Sequence, residues 1–326
     1  MDHLRQFWPT LDSLKNKFLF SSLAQNSINT YRSGVKQYIQ FCRLINLPPL
    51  PLNELVLENF VTSLCGKVGV KAMRVYLYGI QYWATLEGSD SNIANMVRLP
   101  YVLRGIRRWQ GKSHSRPERH PITIPLLESI LSYIDRNYIL GDRLMYRAAV
   151  LTAFFGMLRV SEYTAPSKTR FDYTTHLIST DVTFSNNFNV MSINIKASKT
   201  DPFRLGIKVR IGSTHNHLCP VLAMTNYLAS RPRICGPLFM LRDTSYFTRT
   251  NVQNLLRNSL PFVENVSSHS FRRGGASFLN QAGLPHELIQ ILGRWKSEAY
   301  KLYISLPDSF IHDISKMISL HTLHTS

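Results

Sequence analysis

The sequence predicts a mainly α-helical protein of two domains, the second of them carrying a small antiparallel β-sheet. Three observations predict it. Apolar residues recur three and four apart along most of the 326 residues, the spacing of a buried helical face. Residues 190–211 switch instead to alternation and β-branched side chains, the pattern of half-buried strands. Between the two helical regions, Gly111 to Pro121 (GKSHSRPERHP) has no apolar periodicity and holds two prolines, which suits a linker. The domains are therefore expected at residues 1–110 and 122–326, joined by a linker over 111–121.

The first domain reads as four helices. From Ser27 to Ile45, the residues Ile28, Tyr31, Val35, Tyr38, Ile39, Cys42 and Ile45 share one face. Pro48, Pro49 and Pro51 end that helix, because proline lacks the N–H a helix needs. Asn53 has the side chain of an N-cap for a helix bearing Leu55, Val56, Phe60, Val61 and Leu64. Ala72 to Leu86 is the third. Ile93 to Trp109, capped by Ser91 or Asn92, is the fourth and ends on Arg104, Arg107 and Arg108, a basic cluster on one face.

The second domain opens with helices at Ile124 to Ile134 and Asp142 to Leu158. Val190 to Ile195 and Phe203 to Ile211 then alternate, and the turn residues of KASKTDP between them make a β-hairpin. Helices resume at Val221 to Leu228, Asn251 to Asn258, Ser270 to Gln281, Pro285 to Leu292 and Ser297 to Ser305. The tail from Phe310 to Leu323 is apolar enough to dock on a neighbour or to fold back on its own domain. No internal repeat is present.

Charge narrows the function. Lys and Arg number 38 against 20 Asp and Glu, a formal +18. The excess is shared: 16 basic and 7 acidic residues lie at or before residue 120, and 22 and 13 beyond it. Both domains are thus candidates to meet a polyanion through counterion release, with Arg104, Arg107, Arg108 and Lys112 the expected DNA contacts. With 44% hydrophobic and 18% charged residues, the chain is not a disordered one. No apolar run approaches a membrane span and no apolar block opens the chain, so neither a span nor a secretory signal is expected. Cys42, Cys65, Cys219 and Cys235 have no paired spacing and read as small buried hydrophobes in a reducing compartment.

Four local motifs carry chemistry. GMLRVSE sets Arg159 and Glu162 three apart at the start of a helix. SKTDPFR sets Lys199 at the hairpin tip, with Lys196 as a rival before the turn. SHSFRRGGAS sets His269 and Arg272 three apart on one helical face. GRWKSEAYKLYI places Trp295 eight residues before Tyr303, with Tyr300 a second phenol. Arginine, lysine, histidine, indole and tyrosine are what metal-free phosphodiester cleavage requires. A tyrosine oxygen attacks phosphorus, guanidinium groups match the non-bridging oxygens, and a lysine on a flexible hairpin can protonate the departing oxygen. A histidine can accept the phenolic proton near neutral pH. Metal chemistry is not indicated: carboxylates are sparse, and His215, His217 and Cys219 lack a fourth ligand at a usual spacing. Gly274 to Ser277 lacks the lysine and spacing of a phosphate loop.

The order Arg159, Lys199, His269-x-x-Arg272, Trp295, Tyr303 resembles the tyrosine recombinases, or phage-integrase family. The wording of SKTDPFR, HSFRRGGAS and LGRWKSEAYKLYI looks most similar to DIRS-type and crypton mobile-element members. The resemblance implies a helical core-binding (SAM-like) domain followed by a catalytic domain, and DNA recombination or integration without a cofactor. It implies that Arg159 and Arg272 hold the scissile phosphate, Lys199 is the general acid and His269 the proton acceptor. Trp295 would bond a phosphate oxygen, Tyr303 would be the nucleophile, and Glu162 would orient the active-site helix. One departure stands out: phage and bacterial members commonly place the tyrosine nine residues after the His/Trp position, whereas Tyr303 comes eight after Trp295. The implied partners are double-stranded DNA and three further copies of the chain in a homotetramer, with no membrane and no small-molecule substrate. The implied compartment is the nucleus for a eukaryotic host and the cytoplasm otherwise. The alternatives are a strand-relaxing enzyme like the type IB topoisomerases, or a catalytically silent DNA-binding protein of transposon descent.

Overall fold

A computed structural model describes residues 2–111, 119–198, 201 and 204–303. It divides into two compact units, Met1–Arg116 and Pro117–Ser326. Lys112, Lys199 and the tail from Phe310 to Leu323 lie outside the described residues.

The first unit has five α-helices among the described residues: α1 (Asp2–Ser21), α2 (Gln25–Leu44), α3 (Glu54–Ser63), α4 (Val70–Leu86) and α5 (Leu99–Gln110). Its core gathers Tyr38, Leu57, Phe60, Met73, Ile80 and Leu103. Two glycines let α2 and α4 cross closely and reciprocally. A Cβ on Gly34 would lie 2.8 Å from the Tyr76 backbone, and one on Gly79 would lie 2.7 Å from that of Tyr31. Asn53 caps α3 by accepting the Val56 N–H at 3.2 Å. Two expectations are corrected. Helix α1 precedes the four that were read, and the fourth reading splits into a 3₁₀ turn at Ile93–Asn95 and α5. Pro100 causes the split: inside a helix it would clash with the preceding turn, but in the first turn its missing N–H is not needed. The Glu54 carboxylate accepts the Arg98 and Leu99 N–H groups at 2.5 and 3.0 Å, fixing the start of α5 from α3.

The second unit is built around α7 (Leu140–Phe155), which follows α6 (Ile124–Asn137) and precedes the one-turn α8 (Val160–Tyr163). Helix α7 is buried on all sides from Ala148 to Phe154, as a central core helix must be. Next come β1 (Val182–Phe184), β2 (Val190–Ile195) and β3 (Ile207–Gly212), antiparallel in that order with Ile193 opposite both Val182 and Val209. The hairpin reading lacked β1 and began β3 too early. Met191, Ile193, Ile195, Val209 and Ile211 bury one face of the sheet. Helices α9 (Pro220–Ser230), α10 (Arg249–Ser259), α11 (His269–Gln281) and α12 (His286–Gly293) complete the unit. The last predicted helix is instead a 3₁₀ segment, Glu298–Tyr303. Cys42 and Cys219 are buried, but Cys235 is exposed, because it lies in the loop after α9 and not on a helical face. No helix among the described residues is long and apolar enough to cross a membrane.

The glycine pair of HSFRRGGAS seats α11. The segment leading into α6 runs along the start of α11, with the Ile122 N–H donating to the Ser270 carbonyl at 3.0 Å. A Cβ on Gly274 would lie 2.0 Å from the Ile122 carbonyl oxygen, and one on Gly275 would lie 2.4 Å from that of Phe154. Both obstacles are main chain and cannot rotate away. Gly274→Ala is therefore expected to destabilise the second unit by about 3 kcal/mol, the upper range for overpacking, measured as a drop in the denaturant midpoint. A midpoint shift below about 0.5 kcal/mol, the size of an ordinary surface change, would contradict this account.

Candidate active site

The site begins where α7 ends. After Gly156 the chain passes through Met157 in the left-handed region (φ 45°) and arrives at Arg159, the N-cap of α8. Glu162 lies in the single turn of that helix with its side chain only 1% exposed. Its Oε2 accepts the main-chain N–H of Arg159 at 2.9 Å, and its Oε1 pairs with Arg159 Nη1 at 2.8 Å. A second guanidinium meets the same carboxylate, with Arg294 Nη2 at 2.9 Å from Oε2. One buried acid therefore contacts two arginines.

Helix α11 brings His269 and Arg272 to the same place, one turn apart. Arg272 is buried and donates through Nη1 to the Met157 carbonyl and through Nη2 to the Gly293 carbonyl. Its guanidinium carbon lies 4.3 Å from the centre of the Trp295 ring, a cation–π contact. His269 faces solvent at the head of α11. Partial burial of its ring, and then Arg119, Arg249, Arg272 and Arg159, push its pKa below the usual histidine value. A fifth positive charge is unwelcome there, so the ring is held neutral and able to accept a proton.

The segment after α12 carries the two phenols. Tyr300 is buried, its ring 6.2 Å from that of Trp295 and 6.4 Å from that of His286. Tyr303 lies in the 3₁₀ segment Glu298–Tyr303. On the hairpin, Lys196 is committed elsewhere: its Nζ pairs with Asp181 at 2.8 Å and donates to the Tyr173 carbonyl at 3.0 Å. The tip is tied by Asp201, whose carboxylate accepts the Leu205 and Gly206 N–H groups at 3.1 and 2.8 Å. Between the tip and the end of α12 is a cavity of about 540 Å³, lined by Ser198, Asp201, Gly206, Gln290, Arg294 and Trp295 among others.

In the first unit the predicted basic cluster divides. Arg104 lies over the Tyr101 ring at 5.1 Å, whereas Arg107 lines a cavity of about 430 Å³ with Lys71 and Arg74 at the start of α4. Arg108 is exposed. The HNHLC residues make separate contacts: His217 meets Glu128 at 3.2 Å, and the Cys219 sulfur meets the Ser213 hydroxyl at 3.1 Å.

Sequence reasoning missed Arg119, Arg249 and Arg294. The first two reach His269 only through the fold, from a linker end and from α10, and no local pattern marks them. Arg294 did carry a signal. It precedes Tyr303 by nine residues (303 − 294), the interval that the resemblance led one to expect and that Trp295 misses by one.

No family model matches the chain, and no curated protein matches its sequence. Solved structures do match its fold. The Tn1549 transposon integrase in complex with circular intermediate DNA aligns at a TM-score of 0.60 and 16% identity, over 90% of this chain and 94% of that one. The XerH site-specific recombinase, bound to palindromic difH substrate in a post-cleavage complex, aligns at 0.59 and 18%, over 84% and 75%. A lambda integrase dimer bound to a COC′ core site aligns at 0.55 and 14%, over 90% and 75%. With α11 and the turn after α7 assembling the arginines and histidine within that shared architecture, the chain has the tyrosine recombinase/integrase fold.

Proposed function

We propose that the chain is a site-specific DNA recombinase that cuts and rejoins strands through a 3′-phosphotyrosyl intermediate. One observation carries the reading: Arg159, His269, Arg272 and Trp295, from three separated stretches of sequence, gather around the turn after α7. In the proposed step the Tyr303 oxygen attacks phosphorus and gives its proton to His269. The 5′-oxygen leaves with a proton from Lys199. Arg159 and Arg272 offset the negative charge that gathers on the non-bridging oxygens of the pentacoordinate transition state, and the Trp295 N–H can only donate. The new phosphotyrosine conserves the bond energy, so attack by a 5′-hydroxyl reseals the strand without ATP. The basic cavity of Lys71, Arg74 and Arg107, with Arg104 and Arg108, is the face of the first unit proposed to track a DNA backbone. Neighbours in complex with DNA support duplex DNA as the substrate. The motif wording and the transposon integrase among them support a mobile-element setting; the working assembly in this proposal is four protomers on two duplexes.

A nicked suicide duplex tests the reading, because the cut end diffuses away and traps the intermediate. The expected result is an SDS-stable protein–DNA adduct whose nucleotide-bearing peptide contains Tyr303. Absence of any adduct would leave a DNA-binding protein only, and relaxation of supercoils without a second site would favour a topoisomerase.

The depressed pKa of His269 has a kinetic consequence. Protonation disables the acceptor, so the cleavage rate should fall on acidification with a midpoint below about 6.5, the ordinary histidine value. Arg249→Ala removes one repelling charge and should move that midpoint upward. A midpoint unmoved by the substitution would assign the titration to another group.

A further inference from the structure

We infer that Arg294 is a positioning residue for strand cleavage: it fixes the Glu162 carboxylate that aims Arg159, and thereby couples the nucleophile-bearing segment to a phosphate-binding arginine. The inference rests on the strand-cleavage reading above and goes beyond it, since it gives Arg294 a role exerted through Glu162.

The guanidinium of Arg294 faces inward. Its Nη2 reaches Glu162 Oε2 at 2.9 Å and the Met157 carbonyl at 3.1 Å, its Nη1 lies 3.4 Å from the Gly156 carbonyl, and the side chain is 8% exposed. A fork spent on a buried carboxylate and two main-chain carbonyls is a clamp. What it clamps matters. Glu162 Oε2 is shared between Arg294 and the Arg159 N–H, leaving Oε1 to direct the Arg159 guanidinium. Removing Arg294 would let the carboxylate rotate and would leave Arg159 without a fixed aim.

The backbone supports the same assignment. Arg294 follows α12 in the left-handed region, φ 57° and ψ 43°, with the Trp295 N–H returning to the Gln290 carbonyl at 3.1 Å. Glycine is the usual residue at such a helix end, and a side chain there carries a conformational cost. In exchange, this conformation turns the arginine inward. Its neighbours are anchored as well: the Gly293 carbonyl accepts from Arg272, and the Trp295 ring lies against the same guanidinium. Three consecutive residues are thus bound to both arginine networks a short way before Tyr303.

The test uses the full chain and single-turnover cleavage of the suicide duplex, with circular dichroism confirming that each variant is folded. Arg294→Met and Arg294→Gly are both made, because glycine suits the left-handed backbone and keeps the helix end while deleting the clamp. Both should lower the rate constant at saturating DNA by roughly 30- to 100-fold, the scale expected of a misplaced catalytic group, with the half-saturating DNA concentration within about threefold. Loss of overall structure would not separate those two parameters. Combined with Glu162→Gln, Arg294→Gly should add less than about threefold to the loss from Glu162→Gln alone, because contacting residues in one network are non-additive. A folded Arg294→Gly within about threefold of the wild-type rate would overturn the inference. So would a double variant whose loss is the product of the single losses, which would mean a direct phosphate contact. A wild-type chain that forms no adduct would instead overturn the cleavage reading, and this inference with it.

Discussion

Tyr303→Phe is expected to abolish the covalent adduct while leaving affinity for duplex DNA nearly unchanged. The substitution deletes the one oxygen that the proposed step joins to the 3′-phosphate. Affinity is set by arginines and lysines facing the phosphate backbone, which the change leaves intact. Tyr300 is the competing phenol, and its ring is buried between Trp295 and His286. Tyr300→Phe should therefore keep the adduct, with whatever loss of rate follows from a disturbed aromatic contact. The two variants are compared on the suicide duplex by denaturing gel and on an uncleavable duplex by filter binding. An adduct that survives in Tyr303→Phe and disappears in Tyr300→Phe would reassign the nucleophile.

Arg159→Ala should slow cleavage at saturating DNA by roughly 10²–10³, the scale of losing one donor to a developing oxyanion, or about 2.7–4 kcal/mol. Arg159 is well placed for so large an effect, since its guanidinium is fixed on one side by Glu162 at 2.8 Å and lies close enough to His269 to depress its pKa. Arg159→Lys should recover only part of the rate, because an ammonium group cannot match two phosphate oxygens with a planar fork. Single-turnover rates decide the matter. A loss of less than about tenfold for Arg159→Ala would mean that Arg159 is not among the groups facing the transition state.

Much of this arrangement is legible in the sequence, for reasons that can be named. Asn53 announces α3 because capping is local, and the run from Val190 to Ile195 announces a strand because alternation is local. Arg159 with Glu162, and His269 with Arg272, are readable as pairs because each lies within one helical turn. What escaped reading depends on distant contacts. Helix α1 has Pro9 in its interior and leaves Leu11, Leu14 and Phe18 exposed, so neither a clean pattern nor burial marks it. β1 is three residues long and exists because β2 pairs with it. Pro100 divides what periodicity alone joins. Arg119 and Arg249 act on His269 from elements that nothing in the motifs connects to it, and Arg294 is masked in the sequence by the indole of Trp295 beside it, which matches the expected residue type.

The carbonyl of Met157 is a shared acceptor, bonded by Arg272 from α11 and by Arg294 from the end of α12. A single ¹³C label at that atom would therefore sense both guanidinium groups at once. Its chemical shift would give a spectroscopic gauge of how the cleft reorganises when a duplex arrives, before any bond is broken.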